Sequence, residues 1–183
     1  VLLNHFLFLL AFLFSQAGFS YPSRIILFRH AEKPVTGIHL SAKGKLRAKK
    51  LAHFLSTDPV IISKGEPDFI FAAGQRDHES SVRSIETVQP LADKLDLKIN
   101  DAFLKDDIED LQKHIARSSK YKNKVVVISW QHEWLPFLAY ELGATEAPDE
   151  WDDEDYDSIW IMDFKSSRHL YNFQIIKPRL LQQ

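Results

Sequence analysis

Three short segments place histidine and arginine directly after apolar runs. Arg29-His30-Ala31-Glu32-Lys33-Pro34 follows residues 24–28. Arg76, Asp77, His78 and then Arg83 follow residues 69–73 and Gly74. Ser129-Trp130-Gln131-His132-Glu133 follows residues 124–128. These residue types suit an oxyanion. A guanidinium grips two phosphate oxygens with parallel N–H donors, and an imidazole can attack phosphorus or donate a hydrogen bond to it. Singly, each has an ordinary reading: a histidine after a strand is commonly a hydrogen-bonded structural residue, and an arginine on a helix is commonly solvated. The combination is what points to chemistry. Composition narrows it further. The 183 residues include no cysteine, which excludes disulfides, Cys-ligated zinc, iron–sulfur clusters and a thiolate nucleophile, so covalent catalysis needs another side chain. A net charge of −2, from 23 basic and 25 acidic residues, argues against a dedicated nucleic-acid binder.

The elements that must position these residues are readable from periodicity. Residues 24–28 (RIILF), 69–73 and 124–128 (KVVVI) are apolar and β-branched, and so predict buried strands. Residues 39–55 predict a helix capped by Ser41, with an inward stripe of Leu46, Leu51, Phe54 and Leu55 and a solvated basic face of Lys43, Lys45, Arg47, Lys49 and Lys50. Residues 80–95 predict a second helix, with Val82, Ile85, Val88 and Leu91 inward and Pro90 kinking or splitting it. A short strand at 98–99, helices at 107–116 and 134–142 (the latter ended by Gly143), and closing strands at 158–162 and 170–176, which can pair as an edge hairpin joined around 165–167, complete the pattern. Strands alternating with helices give an α/β class, a three-layer α/β/α sandwich with a mainly parallel central sheet. In such sheets ligands bind beyond the carboxyl ends of the strands, where all three segments fall.

The stretch Leu27 to Pro34, followed by Leu40-Ser41-Ala42-Lys43-Gly44-Lys45-Leu46-Arg47-Ala48, resembles the opening of the histidine phosphatase (phosphoglycerate mutase-like) superfamily, with its Arg-His-Gly/Ala and Leu-Ser/Thr-x-x-Gly-x-x-x-Ala motifs. Arg83-Ser84-Ile85-Glu86-Thr87, with Pro90-Leu91-Ala92, is similar to that family's Arg-x-x-Glu/Gln-Thr helix. Residues 125–143 resemble the segment bearing its second histidine, and residues 151–160 the closing part of small members. The likeness runs from about residue 24 to 163. It implies a phosphoglycerate mutase-like fold and a phosphatase using His30 as nucleophile, Arg29 and Arg83 as the phosphate clamp and His132 as a donor to the phosphoryl group. It implies neither metal nor other cofactor, and a substrate that is a phosphorylated small molecule or a phosphoprotein. The short chain implies a member without a large cap insertion, hence an open pocket and not a mutase.

The general acid stays open. Asp106, in Leu104-Lys105-Asp106, is nearest to the Glu of many members; Glu133 follows the second histidine as in the acid-phosphatase branch; small members resembling phosphohistidine phosphatases can lack an obvious acid. Glu32 and Lys33, beside the nucleophile, have either a supporting or a substrate role. Residues 75–79 read as a modest insertion, with Arg76 and His78 exposed. The acidic run 149–157 suits calcium by composition but lacks the EF-hand glycine and terminal glutamate; it reads as a solvated loop, mostly off the pocket because it would repel phosphate. Trp130, Trp134 and Trp151 read as core aromatics.

Before the first charged residue, Arg24, lies a nine-residue apolar run, Phe6 to Phe14, followed by Ser15-Gln16-Ala17. That is the length of a signal-peptide core with small residues at the cleavage positions, too short for a spanning helix, although no Lys or Arg precedes it. The expectation is a cleaved signal over 1–17, a single domain over 18–183, and export to the periplasm or medium; an uncleaved anchor, the one membrane contact expected, and a buried core segment are the alternatives. Two competing functions accompany the phosphatase reading: an exported, catalytically weak or silent phosphate-binding domain, and a cell-surface partner protein. No segment carries a substrate-specificity motif, and oligomeric state is not readable.

Overall fold

Apolar on both faces, Arg24–Arg29 (β1) forms a strand in which all six residues are buried. A computed structural model describes residues 21–165 and 168–182; the signal-peptide reading of residues 1–17 lies outside them. β1 runs parallel to Val125–Trp130 (β4), with Leu27 opposite Ile128, and antiparallel to Ile159–Phe164 (β5), with Leu27 opposite Trp160. With Phe69–Ala72 (β2), Ile99–Asn100 (β3) and Leu170–Ile176 (β6), the sheet of the described residues has the order β3-β2-β4-β1-β5-β6. Its first four strands are parallel, and β5–β6 is the antiparallel edge hairpin expected from residues 158–176. Successive side chains face opposite ways. Ile26 and Phe28 pack under Ala42–Thr57 (α1) and Arg83–Leu95 (α3); Ile25 and Leu27 pack under Ile108–Arg117 (α4) and Leu135–Leu142 (α5). Helices thus cover both faces, which is why the central strands read as continuous apolar runs. The protein is the three-layer α/β/α sandwich with a mainly parallel sheet that the sequence predicts.

Several details differ from expectation. α1 is capped by Ser41, whose Oγ accepts from the Gly44 amide at 3.0 Å, but its inward face is Gly44, Arg47, Ala48, Leu51, Ala52 and Leu55. Leu46 is exposed and Arg47 is buried, the reverse of the predicted stripe. Close approach sets this rotation. The Ser41 amide donates to the Glu32 carbonyl at 2.9 Å, and a Cβ on Gly44 would collide with the Glu32 backbone. α3 begins at Arg83 rather than Ser80 and continues through Pro90 as one helix, ending at Asp96 in the left-handed region (φ 53°). Pro59–Ile62 (α2), a single turn capped by the Asp58 carboxylate, was not foreseen. α5 ends at Gly143 with φ 112° as predicted. At the far end of β1, Arg24 and Asp163 form a buried ion pair at 2.6 Å. No helix of the described residues is long and apolar enough to cross a membrane.

Candidate active site

Where β1 ends, the His30 amide donates to the Trp130 carbonyl at 2.9 Å, so His30 emerges beside the carboxyl end of β4. It is 5% exposed. Its Nδ1 lies 2.7 Å from the Ala31 carbonyl. A carbonyl only accepts, so Nδ1 carries the hydrogen and Nε2 keeps a lone pair. Burial is the main reason that the His30 pKa falls to about 4; the Ala31 carbonyl opposes the shift, and electrostatic interaction with Arg29, Arg83 and His132 adds to it. The ring is therefore neutral at neutral pH, as a nucleophile must be.

α3 brackets this loop. Thr87 Oγ1 accepts from the Ala31 amide (2.8 Å) and donates to the Arg83 carbonyl (2.7 Å). Glu86 accepts from the Leu40 amide (2.7 Å) and meets His39 Nδ1 (2.6 Å). Arg83 donates from Nε to the His39 carbonyl (3.1 Å) and from Nη2 to the Gly37 carbonyl. Arg83, Glu86 and Thr87 of the family-like motif are thus the residues that hold segments 31 and 37–40 together.

Arg29 is 3% exposed. Its Nη1 donates to the carbonyls of Asp153 (2.5 Å) and Asp152 (3.3 Å), and its guanidinium lies 3.9 Å over the Tyr156 ring. Burial pulls the Arg29 pKa down, opposed by Tyr156, Asp153, Asp155 and Glu154. Its Nη2 lies 3.3 Å from Nδ1 of His132, whose Nε2 is 2.7 Å from Asp153 Oδ1. A guanidinium has no acceptor, so Nδ1 of His132 accepts and Nε2–H donates to Asp153. The Nε of Arg29 and Oγ of Ser129 are buried polar atoms without a partner among the described residues. A buried orphan donor is costly unless a site uses it, and on Arg29 it suits an anion.

The acidic run is therefore not off the pocket, and the site is not open as expected: residues 152–156 lie over Arg29. What the loop presents to Arg29 is main-chain carbonyl rather than carboxylate. Trp151 anchors it, buried with its ring centroid 4.7 Å from that of Trp160 and its Nε1 donating to the Asp155 carbonyl (2.8 Å). Asp155 is bound by Lys177 (2.8 Å) and Ser158 Oγ (2.6 Å). Burial would raise its pKa, but these partners and nearby amides hold it at about 2. Asp157 pairs with Arg47. Arg47 also grips both oxygens of buried Glu32, at 3.0 and 2.8 Å. This Glu32–Arg47–Asp157 bridge joins the loop after His30 to the acidic loop, and sequence reasoning missed it. Its one available signal was position 47 lying in the 44–48–51–55 stripe.

Of the candidate acids, Asp106 holds Arg76 Nη2 with both oxygens (2.9 and 3.0 Å), and both residues are well exposed. Glu133 lies in the single turn His132–Trp134, exposed and without a side-chain partner among the described residues. His78 is exposed. Trp130 is fully buried, with Nε1 donating to the Lys105 carbonyl (2.9 Å); Trp134 is partly buried, near Phe137. Beside the site a cleft of about 640 Å3 opens between Lys33, Pro34 and Lys43 on one side and Glu154 and Tyr156 on the other. Among the described residues no group of three or more His, Asp or Glu side chains is placed to hold a metal ion.

No family model and no curated protein matches the sequence. Solved structures do match. The protein histidine phosphatase SixA, complexed with tungstate, aligns over 86% of this chain and 99% of its own, with 16% identity and a TM-score of 0.62. A mycobacterial glucosyl-3-phosphoglycerate phosphatase aligns over 85% and 97%, with 12% identity and a TM-score of 0.53. A phosphoserine phosphatase variant from Entamoeba histolytica, complexed with phosphoserine, aligns over 82% and 95%, with 13% identity and a TM-score of 0.52. The chain shares the α/β fold of these solved phosphatases. At these identities the likeness concerns the fold, and what the chain does rests on its own site.

Proposed function

We propose that the chain is a histidine-type phosphatase, hydrolysing phosphomonoesters or phosphorylated protein groups through a phosphohistidine on His30. The observation that carries this is His30 itself: buried and neutral, its Nδ1–H committed to Ala31, its Nε2 lone pair free, with Arg29, Arg83 and His132 close enough to act on its charge. Nε2 attacks phosphorus, the N–P bond forms as the ester P–O bond breaks, and water then cleaves the N–P bond. Fixed positive charge and N–H donors around the phosphoryl oxygens stabilise the charge that builds up. Hydrolysis of p-nitrophenyl phosphate by wild type and His30→Ala tests this. Activity lost in the variant, together with an acid-labile phosphoprotein trapped only in wild type, is expected; equal background rates would sink it. The named activities of the solved relatives supply the first substrate panel: phosphohistidine protein, phosphoserine and glucosyl-3-phosphoglycerate.

A second reading, a weak or silent phosphate-binding domain, is favoured by the engagement of Asp106 with Arg76 and by the acidic loop over Arg29. Calorimetric phosphate binding without turnover of that panel would select it. Export is part of the proposal. N-terminal sequencing of the secreted chain should begin near Gly18.

A further inference from the structure

We infer that Asp153 competes with substrate for the phosphoryl subsite and so sets the affinity of the site for phosphate. The inference rests on the phosphatase reading above. One residue occupies two of the site's donors, Arg29 and His132. Its carboxylate takes the Nε2–H of His132 at 2.7 Å, and its main-chain carbonyl takes Nη1 of Arg29 at 2.5 Å. These are the donors that a phosphoryl group needs. The contact to His132 has the geometry of a charge-assisted hydrogen bond to an anionic oxygen, so the carboxylate stands where a phosphoryl oxygen would bind.

Nothing else holds that carboxylate. The Asp153 side chain is 83% exposed, and His132 is its only hydrogen-bond partner among the described residues. The loop's anchors lie elsewhere, at Trp151, Asp155 and Asp157. The side chain of Asp153 can therefore leave without unpacking the core. A phosphate dianion reaching Arg29 must displace it from His132, or bind beside a like charge and forgo that N–H. Either course weakens binding. After displacement, the carboxylate swings into solvent with no buried group left unpaired.

The test compares wild type with Asp153→Asn, Asp153→Ala and Glu150→Gln. Glu150 is an exposed carboxylate on the same acidic run, outside the cleft, and its replacement changes the net charge as Asp153→Asn does. Dissociation constants for inorganic phosphate are measured by calorimetry, and kcat and KM for p-nitrophenyl phosphate at pH 7. Asp153→Asn should tighten phosphate and lower KM by about tenfold, the scale of one charge-assisted hydrogen bond. Asp153→Ala, which removes the acceptor altogether, should bind at least as tightly, and Glu150→Gln should stay within about twofold of wild type, as for an exposed charge. Equal tightening in Glu150→Gln would reduce the effect to net charge and overturn the inference. A fall in kcat at unchanged KM would also overturn it, making Asp153 a proton donor instead. Wild type that binds and hydrolyses normally while both Asp153 variants are unchanged defeats this inference alone. Absence of binding and turnover in all four proteins defeats the phosphatase reading and this inference with it.

Discussion

Arg47→Met probes the bridge between the two loops of the site. It removes the guanidinium that holds both oxygens of Glu32 and one of Asp157. Glu32 is 7% exposed and Arg47 6%, so Glu32 would be left buried with only Lys43 nearby, at 3.4 Å. Breaking a buried pair from one side costs about 3–5 kcal/mol. Lys43 and the partial exposure of Asp157 place this case near the lower end, about 3 kcal/mol. In a domain of this size that lowers Tm by about 6–12 °C. Urea titration and calorimetry of Arg47→Met, Glu32→Gln and the double variant give the cycle. The double variant should recover more than half of the Arg47→Met loss, because no charge is then buried alone. The pH dependence supplies a sign. Burial alone would raise the Glu32 pKa, but the hydrogen bonds and charge of Arg47, with Lys43, hold it below its ordinary 4.5. In wild type the pair's contribution is therefore full above about pH 4.5 and is lost as pH falls through the depressed folded value. In Arg47→Met burial acts without its main opponent, so the Glu32 contribution should reverse and weaken the fold as pH rises past 4.5. A loss in Arg47→Met below about 1 kcal/mol, the range of a surface pair, or strictly additive single losses, would refute the buried-bridge reasoning.

Two further predictions concern His30 and its support. Gly44→Ala at an open helix position would gain about 1 kcal/mol; here the added Cβ meets the Glu32 backbone, so a loss of about 1–3 kcal/mol is expected, and a urea midpoint at or above wild type would contradict the close approach. For His30, the lowered pKa puts the acidic limb of kcat/KM near pH 4 rather than near 6.5. The unfolded chain takes up this proton first, so the His30 contribution to stability also declines as pH drops from 6.5 through 4. A free-enzyme limb, or an imidazole titration by NMR, centred near 6.5 would show that His30 is not buried as described.

Strand positions were legible because burial on both faces leaves an unbroken apolar signature, as in RIILF and KVVVI. The edge hairpin was legible for a different reason, its two apolar runs separated by a polar turn. Arg47 and Leu46 were exchanged because a charged residue in a basic run reads as solvated. The carboxylates that draw Arg47 inward, Glu32 and Asp157, lie 15 residues before it and 110 after it, beyond the reach of any local pattern. Pro90 was expected to kink or split α3; it does not split it. The acidic loop misled for a subtler reason. Nine residues with seven carboxylates look repelled by a phosphate site, but the groups that meet Arg29 are peptide carbonyls, which side-chain composition does not encode. The burial of Trp151, read correctly as core, is what brings those carbonyls there.

β1 leads into His30 and comes first among the described strands, yet its neighbours in the sheet come from the second half of the chain. Arg24 closes on Asp163 across 139 residues, and Arg29 on Asp153 across 124. Such high-contact-order pairings are slow to form, because each must close a long loop before it is rewarded. A chain made from its amino end therefore has His30 and Arg29 long before it has the strand and loop that orient them. On a ribosome, the contacts around Arg29 and His30 are necessarily among the last features to assemble.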